Sequence, residues 1–184
     1  EVRDNEYKAK KLYREIVYCY KMGLPIEVER IISILKELER KLPKDNLCYH
    51  HIFFEFKSLI LEGEELEELY LEAISYFESL HFRHTTYISV FVRDLVGYYI
   101  TSEQPVKARY LLKSKLDNCE VGSTPWFRFM MIKCNFLLNQ NDEGVLEVAR
   151  EVRTHPKYSE LPEDTQTEWD VIWESSLKLS KNQQ

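Results

Sequence analysis

The stretch that decides the fold is residues 85–116, TTYISVFVRDLVGYYITSEQPVKARYLLKSKL. Its apolar residues recur at spacings of three and four, which is the period of an α-helix that buries one side. One helix is predicted to open at Thr85 or Thr86, and a second at Pro105, because proline is well tolerated in the first turn of a helix. A short turn around Ser102 joins them, so the stretch predicts a pair of consecutive helices.

The same paired pattern recurs along the chain at a nearly constant interval. The turns inside successive pairs fall at Gly23, Gly63, Ser102 and Asn141, which are separated by 40, 39 and 39 residues. A fixed step built from paired helices is typical of an α-solenoid rather than of a compact bundle. The sequence therefore predicts an all-α fold of nine helices that forms a single domain over residues 1–184.

The composition excludes several classes of protein. With 5 Gly and 6 Pro in 184 residues, the chain has too few turn residues for a many-stranded β-sandwich. Its 44% hydrophobic content is too high for a disordered chain, and its uncharged apolar stretches are too short to span a membrane. A net charge of −6, with acidic and basic residues interleaved, argues against nucleic-acid binding. Four isolated cysteines are typical of free thiols in a reducing compartment, so we expect a cytoplasmic location.

Groups that could carry chemistry are sparse. His81 and His84 have a spacing that a metal site can use, but no third ligand is near them in the sequence. The glutamates within residues 62–68 have the density of a calcium site without its loop, and a solvated helix face is the alternative that we favour. No glycine-rich phosphate loop, nucleophile elbow or zinc-protease helix occurs. We therefore expect no enzymatic activity, no metal and no cofactor.

Small and bulky residues occur at positions typical of tetratricopeptide repeats. These residues are Leu95, Tyr99, Ala108 and Leu112 in the central pair, and Ala73, Phe77, Leu80 and Ala149 in its neighbours. A small residue lets two helices approach closely, and bulky ones fill the groove around it. The chain thus resembles the tetratricopeptide family over residues 5–157, with steps longer than the usual ~34 residues. The resemblance implies a right-handed α-solenoid of four helix pairs that ends in a C-terminal capping helix.

The first helix of each pair lines the concave face of a solenoid, and here these helices carry most of the 12 Tyr, 9 Phe and 3 Trp. Such helices hold more rings than one buried stripe can take, so we predict that part of them lines a groove for a peptide or partner protein. The predicted binding residues are Tyr49, Phe53, Tyr87, Arg93, Arg128, Phe129, Lys133 and Asn135. The alternative is that the rings fill the core and that the arginines pair with acidic neighbours such as Asp94.

Long degenerate repeats rich in Tyr, Phe, Ile and Lys also resemble the C-terminal sensor domains of peptide-responsive transcription regulators of low-GC Gram-positive bacteria, of the Rgg and PlcR type. The resemblance implies a homodimer that binds a short signalling peptide in its groove and follows a DNA-binding domain. Because the chain opens at Glu1 without Met, we interpret it as a fragment that lacks that domain. The alternative is a scaffold or adaptor that binds a partner protein without a small ligand. Trp169 and Trp173, on one side of the last helix, are predicted to cap the solenoid or to pair subunits.

Overall fold

The computed structural model describes residues 2–80 and 85–182, and within these ranges the chain is all-α, as predicted. Its nine α-helices in the described ranges are α1 (Val2–Lys21), α2 (Val28–Lys41), α3 (Leu47–Ser58), α4 (Gly63–Ser79), α5 (Thr85–Thr101), α6 (Pro105–Asp117), α7 (Thr124–Asn139), α8 (Val145–Arg153) and α9 (Glu163–Asn182). A short 3-10 helix at Pro156–Glu160, which was not predicted, precedes α9. The predicted His81 and His84 pair lies outside the described residues.

The chain divides into two compact units, Glu1–Ala73 and Ile74–Gln184, with the boundary inside α4. In the first unit α1 packs against α2 and α3, and α2 packs against α3. The apolar core of this unit consists of Ala9, Leu12, Ile16, Ile31, Leu35, Leu38, Leu42, Tyr49, Ile52 and Phe56. Helix α1 therefore buries one side in this core and leaves its opposite side exposed.

The second unit is built by sequential packing of helices. Helix α5 packs against α6, α6 against α7, α7 against α8, and α8 against α9. Helix α7 also packs against α5 and α9, so α5, α7 and α9 lie side by side. Helices α6 and α8 each bridge two neighbouring members of this layer.

The turns inside successive helix pairs share one local backbone conformation. Each contains a residue with a left-handed φ angle, namely Gly23 (63°), Gly63 (58°), Glu103 (58°) and Asn141 (51°). These residues are separated by 40, 40 and 38 positions, close to the predicted interval. After Gly23, Glu103 and Asn141, the next residue donates its N–H to the carbonyl five positions earlier, at 2.7–2.9 Å. That bond belongs to the Schellman motif, which ends a helix by satisfying its last carbonyls.

The small residues that the sequence places at repeat positions are buried. Ala73, Ala108 and Ala149 are each fully buried. Leu95 and Tyr99 of α5 are buried as well, so their predicted core positions are confirmed.

Side-chain caps set the N-termini of α3 and α7. The Asn46 side chain accepts a hydrogen bond from the Tyr49 N–H at 2.9 Å and caps α3. The Ser123 hydroxyl accepts a hydrogen bond from the Trp126 N–H at 3.3 Å and caps α7. In the described ranges, no helix combines the length and apolar character needed to cross a membrane.

Candidate functional site

Helix α7 is enclosed on most of its circumference, because it packs against α5, α6, α8 and α9. One strip of this helix stays at least partly accessible, formed by Thr124, Arg128, Met131 and Asn135. These residues are spaced by four, three and four positions and lie within an arc of about 60°. Thr124 and Asn135 are the exposed members of the strip, and Arg128 and Met131 are partly buried.

Helix α5 carries an equivalent accessible strip, formed by Thr86, Val90, Arg93 and Gly97. Its spacing is the same, and each residue precedes its α7 counterpart by 38 positions, the interval that also separates Glu103 from Asn141. Helices α5 and α7 lie side by side, and both strips stay at least partly accessible although α6 packs against both helices. We call the surface formed by Val90, Arg93, Gly97, Arg128, Met131 and Asn135 the α5–α7 face.

Arg93 is the most exposed cation of this face, with 63% of its side chain accessible. Its Nε and Nη2 atoms lie 2.9 and 2.8 Å from Oδ1 of Asp94. Burial raises the pKa of the Asp94 carboxyl, and the adjacent guanidinium only partly offsets this. The sequence left open whether Arg93 pairs with Asp94 or faces a ligand. The structure shows the pair with Asp94, and the Arg93 side chain nevertheless stays exposed.

Arg128 and Asn135 differ from Arg93 in their partners. Within the part of the chain that the structure describes, no ion pair engages the Arg128 guanidinium, and no side-chain hydrogen bond engages the Asn135 amide. The two residues lie about 20° apart on α7, two turns from one another. A guanidinium can take a carboxylate in a bidentate pair, and an amide can bond a peptide backbone. The face therefore offers groups suited to an extended peptide segment.

Gly97 leaves a bare patch of backbone in the middle of α5. A Cβ atom built at Gly97 would meet no atom within 4 Å, and its φ angle is not left-handed. Glycine in a helix interior destabilises the helix by about 1 kcal/mol relative to alanine. Since neither a turn nor internal packing requires this glycine, its position on the face indicates room for close approach of another chain.

The remaining predicted binding residues do not lie on this face. In the first unit Tyr49 is buried, and burial raises the pKa of its hydroxyl to about 12. Its ring stacks on Phe53 at 6.0 Å, and Lys57 lies over the Phe53 ring at 4.5 Å. In the second unit Tyr87 stacks on Phe77 at 5.0 Å. These rings therefore contribute to packing inside their own units.

Phe129 and Lys133 occupy other sides of α7. Phe129 is buried and lines a cleft of about 530 Å³ together with Ile88 and Lys115, beside the Lys115–Glu78 ion pair at 2.5 Å. Lys133 lies about 140° from Arg128 around the helix. The two residues thus do not join the Arg128 and Asn135 strip.

The two predicted tryptophans pack within the second unit. Trp169 is fully buried, and the Arg153 guanidinium lies 5.4 Å from the Trp173 ring centre and 5.6 Å from that of Tyr158. Arg153 also pairs with Asp170 of α9. These contacts fasten α9 to α8, and the role of the tryptophans in capping or in subunit pairing stays a prediction.

Sequence reasoning missed three members of the face, Val90, Gly97 and Met131. The signal that could have found them is the offset of 38 residues, which aligns Arg93 with Met131 and Gly97 with Asn135. Helices α5 and α7 carry apolar residues on most of their sides. The spacing of apolar residues by three and four positions therefore does not identify the accessible strip.

Potential metal ligands and thiols are dispersed among the described residues. No group of three or more potential metal ligands occurs in those ranges. The four cysteines are free, and burial raises the pKa of the Cys134 thiol to about 12, which suppresses its thiolate. Comparison of the chain with protein-family models, with curated proteins and with solved structures finds no significant match in any of the three.

Proposed function

We propose that this chain is a helical-repeat binding module that holds an extended, acidic peptide segment on its α5–α7 face. The observation that carries the proposal is the alignment of Arg93, Arg128 and Asn135 with the open backbone of Gly97 on two adjacent helices. The repeated left-handed turns and the sequential packing support the narrower proposal of a tetratricopeptide-like solenoid.

Each group on the face has a distinct role in this proposal. Arg128 binds a carboxylate of the peptide, because no ion pair in the described ranges occupies its guanidinium. Asn135 bonds the peptide backbone, and Gly97 lets that backbone approach α5 closely. Arg93 exchanges Asp94 for a second carboxylate of the peptide, which favours peptides with two acidic groups.

The test is binding of a pool of short acidic peptides, read by the melting temperature and by calorimetry. We expect Arg128→Ala and Asn135→Ala each to weaken binding by about tenfold. Arg150→Ala is the matched control, because Arg150 is an exposed arginine of α8 outside the face. If peptides bind equally well to the unmodified chain and to all three variants, the peptide does not lie on the α5–α7 face. If no acidic peptide binds the unmodified chain, the proposed function is refuted.

A narrower proposal is that the module senses a signalling peptide and dimerises within a cytoplasmic transcription regulator. It rests on the resemblance described for the sequence. A scaffold that holds a folded partner protein differs in a measurable way, because its partner would bind through a helix or tail without any response to short peptides. Peptide titration followed by mass measurement in solution separates the two, since a sensor is expected to change its subunit association when the peptide binds.

A further inference from the structure

The exposed side of α1 is a basic strip in an otherwise acidic chain. Seven exposed residues lie within an arc of about 100°, opposite the buried Leu12 and Ile16. They are Arg3, Tyr7, Lys10, Lys11, Arg14, Tyr18 and Lys21. Tyr7 and Tyr18 are 68% and 58% accessible, so both rings project from the strip between the cations.

The strip is electrostatically uniform. It contains five cations and no carboxylate, and Asp4 lies at its edge. It runs for about 27 Å along the helix. Within the described ranges no ion pair engages Arg3, Lys10 or Arg14, although the same unit pairs Arg30 with Glu15 and Glu27. The strip thus presents unneutralised positive charge to whatever binds there.

The first unit also carries an acidic strip, on α4. Glu64, Glu65, Glu68 and Glu72 are exposed within an arc of about 120° that contains no cation. Leu71 lies in the same arc and is 45% accessible. The acidic strip therefore combines four carboxylates with one apolar side chain. It is complementary to the basic strip of α1, which combines cations with tyrosine rings.

We propose that the basic strip of α1 in one molecule binds the acidic strip of α4 in a second copy of this chain. The charges are opposite, and the four glutamates span about 12 Å, close to the ~11 Å from Tyr7 to Arg14 in the basic strip. Leu71 would lie against Tyr7 or Tyr18. Since each copy carries both strips, two such contacts close a symmetric dimer. A long polyanion such as a nucleic acid fits less well, because the chain as a whole has a net charge of −6.

This inference does not depend on the proposed peptide site, which lies in the second unit. The test uses two charge-reversed variants of the whole chain, K10E/R14E on α1 and E68K/E72K on α4. Masses are measured by analytical ultracentrifugation at low and high salt, about 0.05 and 0.5 M. We expect the unmodified chain to associate at low salt and to dissociate at high salt, and each variant alone to associate about tenfold more weakly.

The decisive arm is the mixture of the two variants. Because the altered α1 of one then faces the altered α4 of the other with opposite charges, the mixture is expected to regain association. The control K36E/R40E makes the same change of charge at the same spacing on exposed positions of α2, and should associate like the unmodified chain. A chain that is monomeric under all conditions, or a mixture that associates no better than its components, would overturn the proposal. Circular dichroism of each variant shows whether the helices are retained.

Discussion

Glu103 and Asn141, 38 residues apart, hold the same left-handed backbone conformation, with φ angles of 58° and 51°. The residue after each donates its N–H to the carbonyl five positions earlier, so the two turns end α5 and α7 in the same way. Asparagine tolerates this conformation, whereas for glutamate it costs about 1–2 kcal/mol. The turn at Glu103 therefore imposes a backbone strain that its counterpart at Asn141 largely avoids.

Replacing Glu103 by glycine should relieve this strain. We expect Glu103→Gly to stabilise the folded chain by about 1 kcal/mol, because glycine adopts the left-handed conformation without a steric penalty. Thermal unfolding should shift upward by roughly 4 °C. Asn141→Gly is the matched control and should gain less from relief of strain than Glu103→Gly, because asparagine already tolerates the left-handed conformation. A lower melting temperature for Glu103→Gly would show that the carboxylate makes a compensating contact.

The helices were predictable where local chemistry determines them, and the turn at Glu103 marks the limit of that prediction. Glycine and asparagine favour the left-handed conformation, so the sequence indicates the turns at Gly23, Gly63 and Asn141. Proline favours the first turn of a helix, so Pro105 indicates the start of α6. Glu103 carries no such signal, since the conformation is imposed by the helices that it joins.

The candidate site was predictable only in part, for a different physical reason. Arg93, Arg128 and Asn135 stand out as polar residues in ring-rich helices, and all three lie on the α5–α7 face. Phe129 and Lys133 lie on other sides of α7 than Arg128 and Asn135. Which side of α7 stays accessible depends on how the helix packs against its four neighbours. Packing between helices decides which ring is buried, and no local sequence pattern encodes it.

Glycine is required at position 122 because the segment before α7 lies against His155, which follows α8. Its φ angle is 76°, and a Cβ atom there would lie 2.1 Å from Cε1 of His155. The His155 ring is held in place by Trp126 at 5.4 Å and Phe127 at 5.6 Å, so it cannot move away without loss of these contacts. We expect Gly122→Ala to destabilise the chain by about 3 kcal/mol, from the left-handed strain and the overlap together.

Urea unfolding measures this loss, and the double variant G122A/H155A separates its two causes. Removing the His155 ring should restore the part due to overlap while the backbone strain remains. An effect of Gly122→Ala that is unchanged when His155 is absent would contradict the contact between the loops.

The pH dependence of stability should report the burial of Asp94. Its pKa is raised above the ordinary value of 3.8, chiefly by burial. A raised pKa means that the stability contributed by this carboxyl is fully present below its ordinary pKa and is lost as the pH rises through the folded-state value. Asp94→Asn should therefore raise the melting temperature at neutral pH, and this gain should vanish near pH ~3. An equal gain at both pH values would indicate that the effect of the substitution does not come from charge.

Gly97 allows a test in which stability and binding move in opposite directions. Because a Cβ atom there meets nothing within 4 Å, Gly97→Ala should stabilise the chain by about 1 kcal/mol, and Gly97→Leu should also fold. If a peptide backbone approaches α5 at this point, the leucine side chain blocks it, and affinity for acidic peptides should fall by about tenfold or more. Glu147→Leu, at an exposed position of α8 outside the face, controls for added apolar surface and should leave affinity unchanged. Calorimetric titration of the three variants measures these affinities. If Gly97→Leu is stable and binds peptide as well as the unmodified chain, then Gly97 does not belong to the binding face.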